Sequence, residues 1–257
     1  MYDISLSIVT FNNEQIIERT LKSLVSHIDQ RISNIIYIID NKSSDATVKI
    51  VSGQEGNIKI IENEENVGFG SGHNQILELL SSKYHICVNP DITIENNVIY
   101  EMYEYMEKHP EIGLLTPLVK FPDGRIQYLC KRTPTLWDLF IRLVLPRCFK
   151  NRQDYFMMKH TGYKTEFEVE YATGCFMFFR TSVFKELGGF DPNFFLHFED
   201  ADITRRVNQV SKTVFFPYNY VLHDWQRGSH HNYRIMWITI KSAMYYFKKW
   251  GLKIIEC

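Results

Sequence analysis

Two stretches of this chain place carboxylates where chemistry could use them. In "HICVNPDITI" (85–94) the apolar run Ile86-Cys87-Val88 ends at Asn89-Pro90-Asp91. A proline holds the residue before it extended, so Asp91 stands just past a buried segment. Asn, Pro and Asp are ordinary turn material. The same aspartate would equally suit the crevice where α/β sheets bind ligands. In "HFEDADITRR" (197–206), Glu199, Asp200 and Asp202 crowd into four positions. Crowded carboxylates resist ionising together unless a cation or a function holds them. The structural alternative is a helix start whose dipole favours acids, offset by Arg205 and Arg206 at helical spacing.

Two further motifs depend on where the fold puts them. "LHDW" sets His223 after an apolar run. A lone histidine there is structural; with Asp91 nearby it becomes a metal-ligand candidate. "GFGSGHN" (68–74) is either a connecting loop or a backbone that approaches a nucleotide or sugar closely. It is not a dinucleotide fingerprint, which would follow the first strand. There the chain has "TFNNE", without glycine, and this disfavours a dehydrogenase.

The elements that must position these residues follow a clear pattern. "ISLSIVTF", "NIIYIID", "IKII" and "YHICVN" read as buried strands. "EQIIERTLKSLVSHI" and "SSDATVKIVSG" read as helices between them, and the Gly-rich loop runs into a third helix. Strands alternating with helices predict a parallel sheet covered on both faces. The strand ends carry Thr10-Phe11-Asn12, Asp40-Asn41 and Asn89-Pro90-Asp91, and the C-terminal strand ends are where such sheets bind ligands. Further along, 97–108 reads as a helix, "IGLLTP" as a strand and "FPDGRIQ" as a hairpin turn. "TPTLWDLFIRLVL" reads as a capped helix, "GCFMFFR" as a strand, "EDADITRRVNQV" as a polar helix, and "TVFFP" and "NYVLH" as two strands. The chain closes in an aromatic, basic helix.

Composition narrows the class. The 257 residues are 45% hydrophobic and 23% charged with net charge −1, so nucleic acid is not an expected partner. A local basic excess runs from Lys131 to Lys164, opposed only by Asp138 and Asp154. It suits a solvated face, an anionic partner or a membrane surface equally. The five cysteines (87, 130, 148, 175, 257) have no CxxC pair, so neither zinc knuckle nor disulfide framework is expected and a reducing cytoplasm fits. The N-terminus lacks the pattern of a signal peptide, and no run reaches the roughly 18 apolar residues of a spanning helix.

Taken in order, "SIVTFNN", "IIDNKSSD", "ENVGFGSGHNQ", "VNPD", "GCFMFFRTSVFKELGGFDPNFFLHFEDADITRR" and the downstream histidine resemble the family 2 inverting glycosyltransferases. The likeness spans about residues 4 to 250, and its wording is nearest the bacterial rhamnosyltransferases of O-antigen, capsule and wall polysaccharide assembly. It implies an α/β chain with the GT-A fold: a mostly parallel Rossmann-like sheet flanked by helices, plus a C-terminal acceptor-side region ending in an amphipathic helix. The expected organisation is one domain over 1–257, with a nucleotide-sugar half (1–95), an acceptor and catalytic half (96–230) and a terminal helix (231–257).

The resemblance also implies roles. Thr10, Phe11 and Asn12 would line the nucleoside pocket, and Asp40, with Asn41 beside it, would read the base. Asn66, Gly68, Gly70 and Asn74 would shape the loop over ribose and diphosphate. Asn89-Pro90-Asp91 would replace the family's metal-binding DxD, with neutral Asn89 where an aspartate is usual. That leaves Asp91 as the metal carboxylate and His223 as a further ligand of Mg²⁺ or Mn²⁺. Asp200, preceded by Glu199, matches the catalytic base. The donor implied is dTDP-L-rhamnose, with a UDP-hexose or UDP-N-acetylhexosamine as the alternative, and the acceptor a glycan or lipid-linked glycan. A non-catalytic sugar-nucleotide-binding partner is a third reading, which intact Asp91 and Asp200 oppose.

The last helix mixes Trp237, Tyr245, Tyr246 and Trp250 with Lys241, Lys248 and Lys249. Such a helix suits peripheral contact with the cytoplasmic face of a membrane. Met236, Ile240, Met244 and Phe247 also follow helical spacing, which suits packing on the sheet or against a second copy in a homo-oligomer.

Overall fold

The computed structural model describes residues 1–145, 148–224 and 233–254; Arg147 and Cys257 lie outside them. The strands are β1 (Tyr2–Thr10), β2 (Asn34–Asp40), β3 (Ile58–Glu62), β4 (Ser82–Val88), β5 (Ile92–Thr93), β6 (Ile112–Lys120), β7 (Ile126–Gln127), β8 (Cys130–Lys131), β9 (Phe167–Glu168), β10 (Tyr171–Ala172), β11 (Phe176–Arg180) and β12 (Lys212–His223). The helices are α1 (Ile17–His27), α2 (Thr47–Ser52), α3 (Phe69–Asn74), α4 (Val98–Lys108), α5 (Leu136–Val144), α6 (Lys150–Phe156), α7 (Thr181–Glu186), α8 (Glu199–Val210) and α9 (Tyr233–Trp250).

The main sheet runs β3-β2-β1-β4-β11-β6-β12-β5, with β7 on β6 and β9 on β12. Its first four strands are parallel. Then β11 inserts antiparallel between β4 and β6, and β12 lies parallel to β6. The strands are buried on both faces, which is why they read as continuous apolar runs. On one face Ile4, Leu6 and Ile8 pack with Leu21, Leu24 and Met102 of α1 and α4. On the other, Ile39, Met177 and Phe179 pack with Phe184, Ile203 and Val207 of α7 and α8. Ser5 and Ser7 of β1 point to this second face. Ser7 Oγ lies 2.6 Å from His73 Nδ1 and 3.0 Å from His85 Nε2. Burial holds both imidazoles in the neutral form, His85 down to about 3 and His73 well below its usual range.

Three expectations need correction. The glycines of 68–74 do not form a loose loop. Gly70 and Gly72 lie inside α3, where a Cβ would come within 2.8 Å of Phe190 Cβ and of Val9 Cγ2 respectively. Absent side chains let this helix touch β1 and the 190 segment. The two strands expected at "TVFFP" and "NYVLH" are one strand, β12, with a register shift between Phe216 and Tyr220. Pro217 lies in that irregularity, where its missing N–H removes no ladder bond.

The third concerns α9. Its buried residues are Ser242, Ala243, Tyr246 and Phe247, packed on Phe194, Phe198 and Ala201 rather than on the sheet. Met236, Trp237 and Met244 are exposed. Lys249 is not a solvated cation: it pairs with Asp191 (2.6 Å) and Asp202 (2.7 Å). Trp250 Nε1 donates to Asp202 Oδ1 at 2.8 Å.

Candidate active site

The C-terminal strand ends form one edge, and Thr10 stands opposite Asp40 in register. Thr10 Oγ1 donates to Asp40 Oδ1 (2.8 Å), as does Ser43 Oγ (2.6 Å), and Ser43 N donates to Oδ2 (2.7 Å). The Asp40 carboxylate is therefore buried and held by three donors. Asn12 has φ +56. Its N–H donates to Ser43 Oγ, and its Oδ1 accepts from Ser44 N, both at 2.8 Å. Phe11 beside it leaves 48% of its surface exposed.

Asparagines fasten the next wall. Asn41 Nδ2 donates to Asn66 Oδ1 (3.2 Å) and to Gly68 O (3.1 Å), and Asn66 Oδ1 also accepts from Gly68 N (2.9 Å). Gly68 has φ +88, and a Cβ there would lie 2.3 Å from Phe195 O. Only glycine fits. Asn74 lies apart from this network: both ends of its amide bind the backbone of Phe190, at 2.7 and 2.9 Å.

Asn89-Pro90-Asp91 is indeed a turn, with Ile92 N donating to Asn89 O at 3.2 Å and Thr20 Oγ1 to Pro90 O at 2.6 Å. The turn also brings Asp91 to His223. Strand β5 starts at Ile92, which pairs with His223 at the end of β12. His223 Nε2 lies 3.3 Å from Asp91 Oδ1. That oxygen is buried and accepts no hydrogen bond from the described residues.

Gln127 sets the histidine's tautomer. Its Nε2 donates to His223 O at 2.7 Å, and a carbonyl can only accept. Its Oε1 therefore faces His223 Nδ1 at 2.9 Å and must accept from it. Nδ1 carries a proton, which leaves Nε2 as the ring atom that faces Asp91 Oδ1. A buried carboxylate oxygen and a ring nitrogen at this spacing can share a cation. Cis ligands of an octahedral ion at about 2.1 Å lie roughly 3.0 Å apart, close to the spacing seen. Among the described residues no third His, Cys, Asp or Glu joins them. A divalent ion held by two protein ligands would take its remaining oxygens from phosphate and water.

The acids of 199–202 divide into three roles. Asp200 is placed by backbone: Gly174 N donates to Oδ2 (3.1 Å) and Ala201 N to Oδ1 (2.9 Å). Glu199 is buried, and its Oε2 accepts no bond from the described residues. Burial, reinforced by the Asp200 charge, pushes its carboxyl well above the usual range. Asp202 is fully buried and structural. Besides Lys249 and Trp250 it binds Arg206 Nε at 2.8 Å, and Arg206 continues to the carbonyls of Leu187 and Gly189.

One short segment joins the two carboxylate regions. Gly174 N binds Asp200, and the next residue's carbonyl, Cys175 O, accepts from Asn89 N at 2.9 Å. Cys175 lies near enough to both acids to feel their charge. Its thiol is pushed up by burial and then by the Asp91 charge, with Asp200 adding to it. The described cysteines 87, 130, 148 and 175 are free thiols.

Gln127 and Thr20 carried no sequence signal, and Gly174 stood in a motif without a role assigned to it. Gln127 sits in a two-residue strand with no periodicity, and its partner lies 96 positions away.

Known proteins resemble this chain in sequence and in fold. The sequence profile of glycosyl transferase family 2 matches residues 5–188. An N-acetylglucosaminyl-diphospho-decaprenol L-rhamnosyltransferase of Mycobacterium tuberculosis is 25% identical over 228 residues, 84% of this chain and 74% of that protein. Rhamnosyltransferase WbbL of Escherichia coli is 24% identical over 230 residues, 84% of this chain and 83% of that one. Among solved structures, GalNAc-T7 with UDP, GalNAc and Mn²⁺ superposes with TM-score 0.68 at 16% identity, over 96% of this chain and 48% of that one. S. aureus TarS 1-349 in complex with UDP gives 0.61 at 18%, over 86% and 60%. These structural likenesses speak to fold alone, and the chain spans only about half to three-fifths of those solved chains. From the profile match, over more than half of its length, the chain belongs to glycosyl transferase family 2, and its fold is GT-A.

Proposed function

We propose that this glycosyltransferase moves L-rhamnose from dTDP-L-rhamnose, with inversion, to a lipid-linked glycan in bacterial surface polysaccharide synthesis. The observation that carries the chemistry is the approach of His223 Nε2 to Asp91 Oδ1, joined through Asn89 and the Gly174–Cys175 segment to Asp200. Two named relatives that are rhamnosyltransferases support the choice of sugar, and the acceptor named for the M. tuberculosis relative supports a lipid-linked one.

Phe11 stacks on the nucleobase. Thr10, Asn12 and Asp40, with Asn41 behind them, form the nucleoside wall; Asp40 reads the base through the groups it holds in place. Asn66, Gly68 and Gly70 bring backbone to the ribose and diphosphate, Asn89 flanks the ribose, and Asn74 braces the 190 segment beneath. Asp91 and His223 hold Mg²⁺ or Mn²⁺, which when bound supplies positive charge to the departing diphosphate. Asp200 takes the proton of the acceptor hydroxyl as that oxygen bonds to the anomeric carbon and the carbon–phosphate-oxygen bond breaks on the opposite face. Glu199 lies beside it, its carboxyl pushed well above the usual range by burial and by the Asp200 charge.

The exposed apolar and basic side chains of α9 rest on the inner leaflet, where such an acceptor would lie. No helix of the described residues is long and apolar enough to cross a membrane.

A panel of nucleotide sugars tests the reading by thermal shift. Metal-dependent protection by dTDP-L-rhamnose is the expected result. Protection by a UDP-hexose or UDP-N-acetylhexosamine instead would reassign the donor.

A further inference from the structure

Helices α5 and α9, with the segment 251–254, enclose an apolar groove of about 570 Å³. Leu136, Leu139, Ile240, Met244 and Leu252 line it, and Lys248 stands on its wall. The terminal segment is fastened to the start of α5: Leu136 N donates to Lys253 O (3.0 Å) and Trp137 N to Ile254 O (3.2 Å). The volume is that of a small-ligand site. On α9, Met244 in the lining and Trp237 two turns earlier are 69% and 61% exposed. Large exposed apolar side chains of this kind mark an interaction site.

Position and charge select the occupant. Ala243 and Phe247 line the groove and also pack in the cluster that holds Phe198 and Ala201. Those two residues flank Glu199 and Asp200, so the groove and the proposed base border the same apolar cluster. Helix α9 carries Arg234, Lys241, Lys248 and Lys249 and no acidic residue. Lys249 is committed to Asp191 and Asp202, whereas Lys248 is exposed beside the groove. A hydrocarbon lining with an ammonium beside it fits a chain that ends in an anionic head group.

We propose that the groove takes the prenyl-type chain of the acceptor, with its phosphate or diphosphate near Lys248 and its sugar reaching towards Asp200. This rests on the reading of the acceptor as lipid-linked. It differs from leaflet contact in requiring that one chain leave the bilayer and enter the protein.

The test uses the full chain, with farnesyl phosphate as probe, calorimetry as readout, and the variants Leu136→Asp and Met244→Asp at exposed lining positions. Circular dichroism checks their folding. The wild type is expected to bind the probe, and each variant to bind it at least 10-fold more weakly with donor affinity unchanged. KM for a prenyl-linked acceptor should rise at least 10-fold with kcat within twofold. Unchanged probe binding in both variants overturns the proposal. So does wild-type binding to phosphatidylglycerol vesicles without binding to the probe, which would make the groove a bilayer contact. A wild-type dimer that the variants dissociate would give the groove to a second copy. Equal wild-type KM for lipid-free and prenyl-linked acceptors would overturn the acceptor reading itself. A preference for the prenyl-linked acceptor kept by both variants would overturn the groove alone.

Discussion

Gln127 and His223 lock each other: the glutamine amide donates to the histidine's carbonyl while its oxygen accepts from the ring Nδ1. The ring is thereby held in the tautomer that turns Nε2 to Asp91. Groups that orient a metal-binding histidine typically change metal affinity by about 10–100-fold when removed. Gln127→Leu should therefore weaken Mn²⁺ binding within that range, measured by paramagnetic resonance with nucleotide present, while the fold persists. Unchanged affinity would make the Gln127 contact structural only.

Asp91→Asn should nearly abolish transfer without unfolding the chain. Asp91 supplies the only formal negative charge of the pair with His223, and an amide cannot replace it. A melting curve and an assay at saturating Mg²⁺ decide the matter; wild-type turnover would remove Asp91 from the metal site.

Asp200→Asn should lower kcat by roughly 10²–10⁴-fold, the usual contribution of a general base, with donor affinity kept. The amide oxygen can accept from Gly174 N or from Ala201 N, and its NH2 then faces the other N–H, so a local adjustment confined to that bond is expected. Lost donor affinity with normal kcat would make Asp200 a binding residue.

Glu199→Gln should stabilise the protein, and by more as pH rises. Burial raises the folded carboxyl's pKa above its unfolded value near 4.5. Below that value both states are protonated and there is no penalty. Above it the unfolded chain releases its proton and the folded one keeps it. Folding is then weakened by about 1.4 kcal/mol per pH unit until the folded group ionises. Melting temperatures at pH 4 and pH 8 test this: a gain at pH 8 that is absent at pH 4 is expected, and equal gains would contradict it.

Trp250→Phe should cost about 1.5–3 kcal/mol, the worth of a hydrogen bond to a charged group. It leaves a fully buried Asp202 with one donor fewer. Chemical denaturation measures the loss, and a wild-type midpoint would show that Lys249 and Arg206 suffice.

The parallel half of the fold and the strand-end residues were legible in the sequence. Strands buried on both faces leave unbroken apolar runs, and their polar ends stand out as Thr10, Asp40 and Asn89. The pairing of Asp91 with His223 was legible only as a condition, because 132 positions separate them and a two-residue strand, β5, joins them. By residue type and spacing Asp202 looked the same as Asp200, and only the family resemblance singled out Asp200. What distinguishes them is a tryptophan 48 positions on. The glycines of α3 looked like flexibility and proved to be close packing, a difference set by Val9 and Phe190 on other elements.

The Gly174–Cys175 segment has a mechanical consequence. It bears Asp200 through one residue's N–H and the Asn89 turn through the next residue's carbonyl, a single residue step of about 3.8 Å. It acts as a tie. Asn89 continues β4 and Cys175 leads into β11, and the two strands are in register at Val88 and Phe176. Sliding of β11 along β4 would break the Asn89–Cys175 bond, so the register of the sheet itself fixes how far the Asn89 turn stands from Asp200.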